Sequence, residues 1–168
     1  MRPTPTPFTQ FVSGQFPPGT STQPHRHGCV AIHGCLQGPL VLATSSGDHA
    51  LEGGDFCLLA GDVVHNWRNP SQQTGATLGL LVDVAYPGRW PAASGVADCC
   101  GRLARLARGV HVFRTAADAE LHRAFWTVAD HLTAIESREP VAVTGGLLSL
   151  VGICVRRLEG RQDDTAVA

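Results

Sequence analysis

The chain has no lysine. All thirteen of its basic residues are arginine, set against fourteen Asp and Glu for a net charge of −1. The missing lysine reads as a bias toward GC-rich codons and says nothing about mechanism. The missing charge excess says more: without a basic face to follow a phosphate backbone, the chain is not expected to contact nucleic acid itself. No apolar stretch approaches the roughly 20 residues that cross a bilayer. Residues 1–7, rich in Pro and Thr, lack the apolar run of a signal peptide, so the expectation is a cytoplasmic chain with no membrane partner. The six cysteines, Cys29, Cys35, Cys57, Cys99, Cys100 and Cys154, contain no Cys-x-x-Cys pair, and a cytosolic setting disfavours disulfides. Cys29, Cys57 and Cys154 are expected to act as small buried hydrophobes, and one of Cys99 and Cys100 as an exposed thiol. Charged residues make up 16% and hydrophobic ones 43% of 168 residues, which bounds the chain to one globular domain, with or without a helical appendage.

What the chain does have is histidine in two spaced segments, Gly19-x5-His25-x-His27 and Gly54-x5-Ala60-x-Asp62-x2-His65-x3-Asn69. Side chains two apart on a strand face the same way, so His25 and His27 are expected to project together. Neutral imidazole is the commonest protein ligand for a divalent metal, and His65, just after the Gly61-Asp62 turn, is the candidate third ligand. On an uninterrupted strand His33 shares the face of His25, His27 and Ala31. It is then either a fourth ligand, a pocket residue, or a packed side chain bonded to a neighbour. Cys29 has the same parity and could line the cavity. Trp67 and Asn69 share the parity of His65 and are candidates for an aromatic wall and a polar anchor, core packing being the alternative for Trp67. Arg26 and Arg68 have the opposite parity and are expected to point outward. The trio itself could equally be a metal-free polar cluster.

Short apolar runs at 30–32, 40–43, 56–59 and 78–84 are divided by turn-forming residues at Gly34, Gly38-Pro39, 45–48, Gly53-Gly54, Gly61-Asp62 and 69–71. Residues 8–12 read as an entry strand. This rhythm predicts an antiparallel barrel or jelly roll. After Val84 the character changes, and residues 86–91 lead out of the barrel. Residues 92–108 read as a short helix or ordered loop. Thr115 is the expected cap of a helix with Asp118 and Glu120 in its first turn and an apolar face of Leu121, Phe125, Val128, Leu132 and Ile135. A second helix after Pro140 carries Leu147, Leu150, Val151, Cys154 and Leu158, widened by Leu148 and Val155. A stripe this wide either lies within one subunit or leaves part of itself for a second copy. The expected layout is a mainly β protein, an antiparallel β-barrel followed by a C-terminal α-helical hairpin. Residues 1–90 form the barrel, 91–160 a helical region that packs on it and dimerises, and 161–168 a frayed tail.

The two histidine segments resemble the paired motifs of the cupin superfamily, G-x5-H-x-H-x3-4-E-x6-G and G-x5-P-x-G-x2-H-x3-N. Gly19, His25, His27, Gly38, Gly54, His65 and Asn69 fall in place; Ala31 stands at the glutamate, Ala60 at the proline and Asp62 at the second motif's internal glycine. The resemblance implies a metal site at His25, His27 and His65, with His33 as a fourth candidate, for Zn, Fe, Mn or Ni. Loss of the glutamate weakens such a site and removes its acid/base partner. A barrel followed by two helices is similar to the N-terminal effector-binding and dimerisation domain of AraC-type transcription regulators, whose helix-turn-helix half would begin where this chain ends. Two functions follow as expectations. One is a sensor that binds a small-molecule effector and forms a homodimer. The other is a stand-alone metal-dependent cupin enzyme, a dioxygenase, isomerase or lyase, with unknown catalytic residues.

Overall fold

Alternation of burial along the strands separates two kinds of sheet. In the computed structural model, which describes residues 8–82, 96–115, 118–133 and 140–166, one sheet has five strands and the other three. The larger is built from β1 (Phe8–Phe16), β2 (Val30–Gln37), β5 (Phe56–Leu59), β7 (Gly75–Val82) and β8 (Val110–Phe113). Its order is β1-β7-β2-β5-β8, antiparallel throughout. The smaller contains β3 (Leu40–Thr44), β4 (Gly47–Leu51) and β6 (His65–Arg68), in the order β4-β3-β6.

The central strands β2, β5 and β7 of the larger sheet are apolar almost without interruption because both faces are covered. Ala31, Cys35, Cys57, Leu59 and Leu81 point into a barrel core shared with Leu40, Leu42, Leu51 and Trp67 of the smaller sheet. Val30, Ile32, Phe56, Leu58, Leu80 and Val82 point the other way, onto helices. A strand buried on both sides has no need of a polar face. The smaller sheet has a solvated outer side, and β3 and β6 accordingly alternate buried with half-buried positions.

The helices are α1 (Val96–Leu106), α2 (Ala119–Thr133) and α3 (Pro140–Ala166). Phe125 of α2 meets Phe56 edge-on with ring centroids 4.8 Å apart, and both are fully buried. Burial of one such side chain is worth about 1.5–3 kcal/mol. Leu147, Leu150, Val151, Cys154, Val155 and Leu158 of α3 all lie in this same cluster, so α1, α2 and the sheet account for the wide stripe within one subunit. Ile135, residues 83–91 and the side chain of Leu132 lie outside the described residues.

Four local expectations need correction. The cap of α2 is Asp118, whose Oδ1 accepts the Leu121 N–H at 3.1 Å; Thr115 instead donates its hydroxyl to the Gly54 carbonyl. The stretch 91–160 is not wholly helical, since β8 returns to the barrel and pairs Phe113 with Phe56 and Val110 with Leu59. Residues 161–166 continue α3, and Arg161 is tied down: its guanidinium lies 4.4 Å from the Phe113 ring centroid and donates to Val112 O at 2.9 Å. Cys99 is half-buried and Cys100 buried on α1, so neither is an exposed thiol. Among the described residues no helix is long and apolar enough to cross a membrane.

Candidate functional site

Residues 19–25 run antiparallel to 65–69 along the open edge of β6. Gly19 N–H donates to Asn69 O, Asn69 N–H to Thr20 O and Thr22 N–H to Trp67 O, all at 2.9 Å. His25 and His65 exchange both backbone hydrogen bonds, at 2.9 and 2.8 Å. The first histidine segment thus lies on the second in reverse, its glycine against the other's asparagine. A directly opposed pair carries its side chains on one face, which is why His25 and His65 meet.

Their ring centroids are 4.4 Å apart, and His27 lies 5.2 Å from His25 and 5.1 Å from His65. One ring nitrogen from each of the three falls within 4.8 Å of the others. His25 Nδ1 and His65 Nδ1 are each 3.0 Å from a backbone carbonyl, of Gln23 and Val63. Donation to those carbonyls protonates Nδ1 and leaves Nε2 as the lone-pair nitrogen. The Nε2 atoms of His27 and His65 are buried without a hydrogen-bond partner. Burial, reinforced by the imidazoles of His65 and His25, holds His27 below the usual histidine range. Burial also lowers His65, against the Val63 carbonyl and with help from His25. Both are therefore neutral at pH 7, the state a metal ligand requires.

A buried nitrogen with no partner costs about 1–3 kcal/mol. A divalent cation accepts such lone pairs, and an Nδ1–H bonded to a backbone carbonyl is the usual support of a metal-binding imidazole. The donor set fits a divalent transition metal. It contains no carboxylate: Ala31 faces the barrel core, fully buried. Among the described residues the buried acids are Asp55 and Asp118, and each is paired with an arginine elsewhere, Arg114 and Arg157.

His33 lies outside the close trio. It projects inward from β2, 6.1 Å from His27, 6.4 Å from His65 and 5.6 Å from Trp67 between ring centroids, with both ring nitrogens unpartnered. Burial first, then the three other imidazoles, pushes its pKa down to about 3. Its ring fits because Gly79 pairs with it on β7; a Cβ there would fall 2.5 Å from His33 Cε1 and Nδ1. His25, His27, His33 and Trp67 line a cavity of about 460 Å³ together with Phe16, Thr22 and Thr77.

No family model and no curated relative matches the sequence. Solved structures match parts of it. A cupin domain from Bordetella pertussis Tohama I is 29% identical, covering 44% of this chain and 79% of its own, with a TM-score of 0.39. A cupin 2 conserved barrel domain protein from Salinispora arenicola is 21% identical over 53% of this chain and 74% of its own, with a TM-score of 0.46. The cupin domain of an XRE family transcriptional regulator from Enterobacter cloacae is 23% identical over 43% and 78%, with a TM-score of 0.38. Two antiparallel sheets enclose one core here, with the paired histidine segments at its mouth. The barrel is cupin-like.

Two expected pocket residues of this cupin-like barrel do other work. Asn69 Nδ2 donates to Phe16 O and Gln73 O, both at 2.7 Å, while its Oδ1 accepts the N–H and hydroxyl of Ser71. It ties a turn and is not free to anchor a ligand. Cys29 does not line the barrel cavity; it borders a separate cleft with Arg26 and Gly61. The parity argument needed a strand unbroken from 25 to 35, but regular pairing starts at Val30, and His25 sits in an isolated bridge. Arg68 and Arg26 do point outward, Arg68 onto Asp48. Sequence reasoning missed Phe16, Thr22, Thr77 and Gly79. A buried threonine in the otherwise apolar β7 was the available signal for Thr77.

Proposed function

We propose that this chain is an effector-sensing cupin domain of the AraC-regulator type, which holds a divalent transition metal on His25, His27 and His65 and binds a small molecule in the adjoining cavity. The observation that carries this reading is the pair of buried Nε2 atoms on His27 and His65 without partners, beside Nδ1 atoms oriented by backbone carbonyls. When bound, the metal supplies a Lewis-acidic anchor for an oxygen or nitrogen donor of the ligand. Trp67 and Phe16, with centroids 6.1 Å apart, offer an apolar wall, and Thr22 and Thr77 offer hydroxyls. Among the described residues no Asp, Glu, Lys or Arg lines the cavity, so none of them offers a carboxylate to move protons at a substrate, which favours binding over turnover.

Sensing needs a route outward, and β2 supports one. Its inner face carries His33 at the cavity, and its outer face carries Val30 and Ile32 against the helices. We include a homodimer in the proposal, formed through surfaces other than the stripe of α3 that one subunit already buries.

Thermal unfolding tests the metal. A cation at a hundred times its dissociation constant stabilises by about 2.7 kcal/mol, or about 5–10 °C in Tm for a chain of this size. Zn, Mn, Fe(II) or Ni should produce that rise in the wild type, and His27→Ala and His65→Ala should abolish it. No shift with any of the four overturns the reading. Sedimentation tests the dimer: a clean monomer at high micromolar concentration removes it from the proposal.

A further inference from the structure

His27 forms part of two cavities. One is the barrel cavity, whose lining among the described residues holds no Asp, Glu, Lys or Arg. The other, about 870 Å³, lies between residues 26–30, the turn at 60–62, and the end of α1 with Arg108 and Gly109. Its lining includes two arginines, Arg26 and Arg108, and one carboxylate, Asp62.

The walls of this cleft are joined by direct backbone contacts. Gly61 sits so close to Cys29 that a Cβ would lie 2.8 Å from its backbone nitrogen and 3.0 Å from its carbonyl oxygen. Ala60 N–H donates to Gly109 O at 3.0 Å, and the next residues, Leu59 and Val110, are partners in the β5–β8 ladder. The three segments therefore hold a fixed concave surface. Arg26 and Arg108 are both exposed and neither has an ion-pair partner among the described residues; the Nε of Arg108 donates to Arg105 O at 3.2 Å. Two uncommitted guanidiniums in one preformed cleft suit a carboxylate or phosphate, which a guanidinium binds through paired N–H donors.

We propose that this cleft, which has His27 in its lining, is a second ligand site for a small anion bearing a carboxylate or phosphate. The anion site does not depend on a metal; only its relevance to the barrel cavity rests on His27 being a ligand there. A unit charge about 4 Å from an anion in a water-exposed setting changes affinity about fivefold.

The test is calorimetric titration of the metal-free full chain with inorganic phosphate and, separately, with succinate, at low ionic strength. Saturable binding of one anion per chain is expected for at least one probe, and the preferred probe names the chemistry. Arg26→Ala and Arg108→Ala should each weaken it about fivefold, and Asp62→Asn should strengthen it by a similar factor. Arg123→Ala, in the groove between α2 and α3, should leave it unchanged. The bound probe should also shift the His27 ring resonances, and in Arg108→Ala the shift should need about fivefold more probe. Failure of both probes to saturate at millimolar concentration, equal affinity in the arginine variants, or unmoved His27 resonances would overturn the proposal. Because no metal is used, these outcomes are independent of whether the three histidines bind one.

Discussion

Gly79→Ala tests the place of His33 in the barrel. The added methyl would meet His33 Cε1 and Nδ1 at 2.5 Å and Val12 Cγ2 at 2.7 Å, distances that real contacts do not sustain. The imidazole is 4% exposed, so room for the methyl comes only by displacing the ring toward the cavity it lines or by straining the barrel. Overpacking of this kind costs about 1–3 kcal/mol. Against it stands about 0.5–1 kcal/mol gained when a strand glycine becomes alanine. The net expectation is a loss of about 1–2 kcal/mol in the wild-type background. In His33→Ala the ring is gone, Val12 can change rotamer, and the same methyl should be neutral or mildly stabilising. A double-mutant cycle by urea unfolding should therefore give a coupling of about 2 kcal/mol between the two positions. Equal effects of Gly79→Ala in both backgrounds, within about 0.5 kcal/mol, would refute the packing argument and with it the inward placement of His33.

Other expectations follow from the same contacts. His33 has a folded pKa of about 3 against an ordinary 6.5, so the unfolded chain binds a proton that the folded one excludes. Stability without metal should fall as pH drops below 6.5 and go on falling toward about 3, by about 2 kcal/mol from pH 6.5 to pH 5 for this residue. Urea titrations at those two pH values should show that part of the loss missing in His33→Ala; an unchanged loss contradicts it. Asn69→Ala removes hydrogen bonds to Phe16, Gln73 and Ser71 and should cost about 2 kcal/mol in urea unfolding. Its metal affinity should stay within a factor of two or so of the wild type, on the premise that it shapes the turn and touches no ligand. Asp118→Ala loses the cap of α2 and the pairing with Arg157, worth about 1–2 kcal/mol; far-UV circular dichroism during unfolding would show whether α2 is what weakens.

Much of this was legible from spacing. Turn signals every few residues gave an antiparallel barrel, and helical spacing gave α2, with an acid at its start, and α3 after Pro140. The two histidine segments also indicated a common focus, although by a route the structure changes. Parity along one strand was the argument for His25 and His27, whereas the geometry comes from a reciprocal backbone pair between His25 and His65, a long-range contact that local periodicity cannot report. For the same reason parity misplaced Cys29, which follows an irregular turn. It placed Asn69 on the right side of the chain but could not foresee that Phe16, Ser71 and Gln73 would use up its amide. β8 was missed although Gly109, at a φ of 76°, separates it from α1, because four residues, Val110–Phe113, are too few for a strand period to stand out between helices. The wide α3 stripe was read as lying within one subunit or leaving part of itself for a second copy; its residues fall in one cluster with α1, α2 and the larger sheet.

The central claim is that three imidazoles, with no carboxylate, hold a metal at the mouth of the barrel. Metal content of protein purified without chelators or immobilised-metal steps measures it directly, in the wild type and in His27→Ala shown to be folded by circular dichroism. Near-stoichiometric metal in the wild type that disappears from the variant is the predicted result. A folded wild type that takes up none of Zn, Fe, Mn or Ni under any loading condition, or a variant that retains the full content, would contradict it.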